Sequence, residues 1–138
     1  MTVIDLTTKA REEIVDITAE VASTVKQEGL KDGLCLVYVP HTTAGVSVNE
    51  NADPTVKSDV LMAMKHIVPD ALPYRHSEGN SPAHVKAALA GSSVTLIVEG
   101  GRLQLGRWQG VYFCEFDGPR RRQVWIKFSR PAAPGAGV

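Results

Sequence analysis

Residues 93–128 read SVTLIVEGGRLQLGRWQGVYFCEFDGPRRRQVWIKF, and this stretch decides the fold. Apolar, β-branched and aromatic residues gather in four short runs: Ser93–Val98, Leu103–Leu105, Val111–Phe116 and Val124–Phe128. Each run has the length and composition of a strand. Glu99-Gly100-Gly101 and Asp117-Gly118 supply turns between them. A chain that ends in four closely spaced strands must lay them in a sheet and cover at least one face.

Covering elements are predicted upstream. Asp53 can cap a helix that has Pro54 at its first position, where a missing N–H costs nothing. Val56, Val60, Met64 and Ile67 repeat at helical spacing toward the core, and Pro69 ends the run. After a polar loop over 70–80, a second helix is signalled by Ser81 as cap, Pro82 at the first position and Gly91 just past the end. Val85 and Leu89 are its expected apolar face. Further back, Leu34–Val39 (LCLVYV) is an uninterrupted apolar run and reads as a central strand stopped by Pro40. Val46 and Val48 alternate in another strand that ends at Asn49-Glu50-Asn51. Thr2–Leu6 alternates as a short strand. The stretch 12–27 admits one long helix with Ile14, Ile17, Val21 and Val25 on one face. It also admits a strand over Glu12–Ile17 followed by a helix capped at Thr18, and the β-branched Ile14, Val15 and Ile17 favour this order.

Together these elements predict an α+β fold: one compact domain over residues 1–130, an antiparallel or mixed sheet with helices packed against it, and a flexible tail over 131–138. There is no βαβ repeat and no GxGxxG, which argues against a dinucleotide fold. The 138 residues suit a single domain, and 43% hydrophobic content is enough for a core. Fifteen basic and fifteen acidic residues cancel, so no surplus charge drives binding to a nucleic-acid backbone. The densest basic run, Arg120-Arg121-Arg122, reads as a solvated turn between strands. Cys35 and Cys114 each sit in an apolar run and read as small buried side chains. Neither a signal-like start nor a bilayer-length segment is apparent, so a cytoplasmic protein with no membrane contact is expected.

All four histidines fall between positions 41 and 84. His66 lies late in the first predicted helix and reads as a surface residue near its negative end. His41 follows the central strand beside Thr42 and Thr43, while His76 and His84 bracket the second helix start. If that loop folds back, His41, His76 and His84 could converge as metal ligands, although their spacing matches no zinc-finger or HExxH pattern. An anion is the other possibility. The first N–H groups of the Ser81 helix favour negative charge, and Gly79-Asn80 lets the chain turn sharply before them. Among carboxylates near turns, Glu78 has the best setting to orient a histidine or act as acid or base. Asp117 reads as shaping its Asp-Gly-Pro turn, and Trp108 as packing in the core or at an interface.

The runs His41-Thr-Thr-Ala-Gly45, Asn49-Glu50-Asn51, His76-Ser-Glu-Gly-Asn-Ser-Pro-Ala-His84, Gly106-Arg-Trp-Gln-Gly110 and Cys114-Glu-Phe-Asp-Gly-Pro-Arg120 resemble the YjbQ/UPF0047 family. The resemblance covers nearly the whole chain outside its Pro/Ala/Gly tail. It implies a compact α+β fold rich in strands, a homotrimer, and a polar pocket. Carried onto this chain, the pocket draws on His41, Thr42, Thr43, Asn49, Glu50, His76, Glu78, Asn80, His84, Trp108, Gln109 and Glu115. The residue reading adds Ser81. The resemblance also implies thiamine-phosphate synthase activity, joining hydroxymethylpyrimidine diphosphate to thiazole phosphate with release of pyrophosphate.

In that reading His41, Glu50, His76, Glu78 and His84 are the catalytic candidates. Thr42, Thr43, Asn49, Asn80, Ser81, Trp108, Gln109 and Glu115 bind ligand, a phosphorylated small molecule or phosphate-like anion. Displacing pyrophosphate needs charge neutralisation, which a divalent metal ion could supply. Magnesium would favour Glu50 or Glu78 oxygens, whereas His41, His76 and His84 suit zinc. No organic cofactor is expected. Two alternatives remain: a metal-dependent hydrolase or other enzyme using the same pocket, and a non-catalytic ligand-binding or assembly protein.

Overall fold

The computed structural model describes residues 1–132. Most of the expected tail, 133–138, lies outside the described residues, and 131–132 are irregular. The elements are β1 (Thr2–Thr7), β2 (Glu13–Asp16), α1 (Thr18–Glu28), β3 (Gly33–Tyr38), β4 (Ala44–Glu50), α2 (Pro54–Ile67), α3 (Ser81–Ala90), β5 (Ser93–Glu99), β6 (Arg102–Gln104), β7 (Gln109–Glu115) and β8 (Arg121–Ser129). The strands form two sheets, one of five in the order β1-β8-β3-β5-β6 and one of three in the order β2-β7-β4. Every pairing is antiparallel. The expected α+β domain is therefore present, with its strands divided between two sheets.

The alternating pattern of each strand sets the layers. In β3, Cys35 and Val37 point into the core, as do Val124 and Ile126 of β8 and Leu96 and Val98 of β5. These meet Val46 of β4, Val111 and Phe113 of β7, and Ile17, Val21 and Val25 on and beside α1. The main core thus lies between the two sheets, with α1 packed into it. A second apolar cluster joins the other face of the small sheet to the later helices, through Cys114 and Phe116, Ala83 and Ala87, and partly buried Leu61 and Met64. Both cysteines are free and buried. Burial pushes their thiols up to about 11 for Cys35 and about 12 for Cys114, which leaves them inert packing groups.

Local chemistry explains the boundaries. The β5–β6 hairpin turns on Gly100 and Gly101, both at positive φ (59° and 77°), which a two-residue turn of this kind requires. Asp53 caps α2 by accepting the Thr55 N–H at 2.9 Å, and Pro54 follows it. The strand-then-helix order favoured for 12–27 is present, but Thr18 is not the cap. The cap position belongs to Ile17, and the Thr18 hydroxyl instead bonds Asp16 and the Val111 N–H.

Four expectations about the helices and the basic run are corrected. Asn80, not Ser81, caps α3, and neither side chain makes a capping bond. Pro82, Ala83, Lys86 and Ala87 face inward on α3, whereas Val85 and Leu89 are exposed. Small residues win that face because α3 presses closely on β4: a Cβ on Gly45 would sit 2.6 Å from the Gly91 carbonyl oxygen. The α2 stripe is only partly core: Val56, Val60 and Met64 are half-buried, no α2 residue is fully buried, and Ile67 is 66% exposed. Its helix lies on the outside of the small sheet. Finally, Arg120-Arg121-Arg122 is not simply a solvated turn: Arg121 begins β8, and Arg122, inward in the same alternation as Val124 and Ile126, is buried.

Candidate functional site

The two sheets are stitched together where β3 gives way to β4. Pro40 ends β3, the chain turns through His41-Thr42-Thr43, and β4 begins at Ala44. The far side of the junction is the α3–β5 link, where the Ser92 carbonyl accepts the Val39 N–H at 2.8 Å and the Gly91 carbonyl accepts the Val46 N–H at 3.0 Å. An open depression of about 340 Å³ lies here, lined by His41, Thr42, Ala44, His84, Ala87, Ala88, Gly91 and Ser92. Two imidazoles and two hydroxyls supply its polar side chains, and no carboxylate lines it.

His41 sits half-buried at this junction. Its Nε2 accepts the backbone N–H of Gln123 at 2.9 Å. Burial and the neighbouring Arg122 guanidinium lower its pKa, against an upward pull from Glu115. His84 lies in the first turns of α3, and the exposed His76 ring meets it edge-on with centroids 5.2 Å apart. The His76–Glu78 pair is loose, at 3.9 Å with both side chains exposed, and such a pair contributes little to stability. The 76–84 loop therefore does fold back far enough to bring its two histidines together.

The helix start is a poorer anion cradle than the sequence suggests. The Ala83 and His84 N–H groups turn back to the Asn80 carbonyl at 3.0 and 3.4 Å, and Pro82 has none. Of the first four helical positions, only Ser81 retains an amide for a ligand. Asn80 is buried, and its side-chain amide donates to Asp117 at 2.9 Å, while its Oδ1 accepts from no protein group. Asp117 thus shapes more than its own turn. It also receives Arg120 at 3.0 Å, and these donors hold its carboxyl low against the opposing effect of burial.

Behind the depression lies a fully buried ion pair. Glu115 on β7 is bonded by Arg122 of β8, by the Thr8 hydroxyl at 2.7 Å and by the Asp117 N–H at 3.1 Å. Arg122 also reaches the Thr43 hydroxyl at 2.9 Å. Burial alone would raise the Glu115 pKa, but Arg122, Thr8 and the Asp117 amide outweigh it and hold the carboxyl below its ordinary range. Glu115 and Thr43 are thereby enclosed in a structural network whose accessible output is the position of the 41–43 loop. Lys86 is likewise completely buried and bonds Glu12 at 2.7 Å, tying α3 to the β1–β2 connection.

The remaining candidates lie elsewhere. Asn49 and Glu50 line a small, partly open cavity of about 30 Å³ under α2, with Lys57 and Tyr112. The Tyr112 hydroxyl donates to the Glu50 carbonyl and lies 3.0 Å from the Asn51 side chain, and Lys57 stands 4.9 Å from the centre of the Tyr112 ring. Gln109 lines a separate cleft with Val48, Val94 and Ile97, and its side chain accepts the Gly106 N–H at 2.7 Å. Trp108 is 55% exposed, with the Arg107 guanidinium over its ring at 4.8 Å, so within one chain it is not core. Thr42 is exposed and lines the main depression. Among the described residues no three His, Cys, Asp or Glu side chains are spaced to hold a metal ion.

Sequence reasoning missed Thr8, Lys86, Ser92, the Gln123 amide and Arg122. Only Arg122 had a legible signal, the inward alternation Arg122-Val124-Ile126.

The UPF0047 protein YjbQ-like family model matches residues 2–131. The chain belongs to the YjbQ/UPF0047 family. A UPF0047 protein of Methanocaldococcus jannaschii is 50% identical over 120 residues, covering 87% of each chain. The family member YugU of Bacillus subtilis is 50% identical over 125 residues, covering 90% of this chain and 95% of its own. A YjbQ/UPF0047 crystal structure from Clostridium acetobutylicum superposes with a TM-score of 0.91 at 47% identity, over 94% of this chain and all of that one. A family structure of unknown function from Sulfolobus solfataricus gives 0.88 at 32% identity, over 92% and 94% of the two chains. Family membership accounts for the shared fold and for the separated motifs meeting in one domain. No helix among the described residues is long and apolar enough to cross a membrane.

Proposed function

We propose that this chain binds a phosphorylated small molecule in the depression between the 41–43 loop and α3. The observation that carries the reading is the lining: His41, Thr42, His84 and Ser92 offer donors, and no carboxylate opposes an anion there. The concrete reaction is thiamine-phosphate synthesis, in which hydroxymethylpyrimidine diphosphate is joined to thiazole phosphate and pyrophosphate leaves. His41 and His84 would stabilise charge on the departing oxygens. Isothermal titration of the full chain with inorganic pyrophosphate tests the binding site. Binding that weakens at least about tenfold in His84→Ala, roughly 1.4 kcal/mol, supports it. Equal affinity in the two proteins refutes it.

A metal-dependent hydrolase is the second reading, favoured by the edge-on pair of His76 and His84. It predicts stoichiometric zinc by elemental analysis of protein purified without added metal, lost in His84→Ala. Metal-free protein with intact phosphate-ester chemistry would exclude it.

Self-association belongs to the same proposal. No helix among the described residues covers the outer face of the five-stranded sheet, yet Val3, Leu34, Leu36, Tyr38 and Ile97 all stand exposed on it. The register makes them contiguous: Val3 opposes Trp125, Trp125 opposes Tyr38, and Leu34 opposes Ile97. An antiparallel sheet facing water carries polar residues at such positions, so this face fits a partner copy, three copies being what the family resemblance implies. Light scattering should give a trimer that Leu36→Asp dissociates. A monomeric wild type would sink the idea.

A further inference from the structure

The contact between His41 and the Gln123 amide has a chemical consequence that the choice of ligand does not affect. In the β3–β8 ladder the last pair at this end is Tyr38 with Trp125. Continuing the register would set Pro40 opposite Gln123. Proline has no N–H, and the chain has already left the sheet there. The Gln123 N–H therefore faces a place where the neighbouring strand has ended, and the His41 ring fills it, with Nε2 2.9 Å from the donor. An acceptor nitrogen must carry a lone pair. A proton on Nε2 would set two hydrogens face to face, and a flipped ring would present a carbon-bound hydrogen to the amide.

We propose that His41 is a fixed hydrogen-bond donor, a neutral imidazole with its proton on Nδ1 that reads an acceptor oxygen of the ligand and takes no part in metal coordination. A neutral imidazole ligates a metal through its unprotonated nitrogen. In His41 that nitrogen is already occupied by the Gln123 amide. Ligation through Nδ1 would require loss of the ring's remaining proton, which neutral water does not permit. Burial and Arg122 oppose a second proton on the ring; Glu115 favours one, but its carboxylate is committed to Arg122, and the net shift is downward. No carboxylate lines the depression, so no fixed anion there competes with a ligand oxygen for the donor. The ligand part of the proposal rests on the phosphorylated-ligand reading, whereas the tautomer does not.

The test is a long-range proton–nitrogen correlation spectrum of the full chain labelled with nitrogen-15 in histidine, with His41 assigned by loss of its signals in His41→Asn. At neutral pH His41 should show the pattern of a proton on Nδ1. Zinc chloride should leave that pattern unchanged while shifting His76 or His84, and inorganic pyrophosphate should shift the His41 Nδ1 resonance. A proton on Nε2, or zinc ligation through either His41 nitrogen, would overturn the assignment. If the Nδ1 pattern is present but pyrophosphate shifts neither His41 nor His84, the tautomer stands and the phosphorylated-ligand reading fails.

Discussion

Two polar regions flank the 41–43 loop, and they are built in opposite ways. Behind it, Thr8, Thr43, Glu115 and Arg122 are all buried, and the two charges are surrounded by hydrogen bonds. In front of it, His76 and Glu78 are exposed and make only a loose contact. The sequence presents both regions alike, as polar residues clustered near turns. The difference lies in desolvation. A buried charge must be met by the fold itself, so the Glu115 network is closed and fixes the loop. The histidine region leaves its groups open to solvent and therefore to a ligand.

The sharpest way to break this contrast is to remove Glu115. Glu115→Ala leaves Arg122 buried without its partner and should lower unfolding stability in urea by about 3–5 kcal/mol. Glu115→Leu combined with Arg122→Met should recover much of that loss, because neither charge then remains. A double variant as unstable as the single one would mean that the network does more than neutralise itself.

Acid offers a graded version of the same test. The folded-state pKa of Glu115 is depressed, so its contribution is complete above the ordinary unfolded value of 4.5 and is lost as pH falls through the lower folded value. The stability gap between wild type and Glu115→Gln should therefore shrink between about pH 5 and about pH 2, as followed by circular dichroism. A gap that holds constant would refute the pairing.

The smallest effect is expected at the open site. His76→Ala should change stability by no more than about 0.5 kcal/mol, since the ring is exposed and no closed network depends on it. A larger loss in thermal unfolding would make His76 a structural residue after all.

Elements with strong local chemistry were legible in the sequence. The Asp53-Pro54 start of α2, the Gly100-Gly101 hairpin and the apolar run of β3 carry their own geometry. What failed was the inference from apolar residue to buried face. Val85 and Leu89 point outward because α3 approaches β4 too closely for large side chains at the contact, a constraint set by Gly45 on another element. The same limit hid the site's second layer. Arg122 and Glu115 are seven residues apart on strands of different sheets, and nothing in either local sequence states that they meet. The histidines were easier because they stand in short motifs, yet Asn49 and Glu50, equally prominent, line a different cavity.

The external position of α2 bears on how the molecule breathes. A helix of fourteen residues with none fully buried can lift from the small sheet while the core between the sheets stays closed. Its amide hydrogens should then exchange through local opening, well before those of β3 and β8, whose strands open only with the whole domain. Lifting α2 would also uncover Tyr112, Lys57 and Glu50, so the same partial unfolding that frees its amides would admit solvent to the cavity beneath.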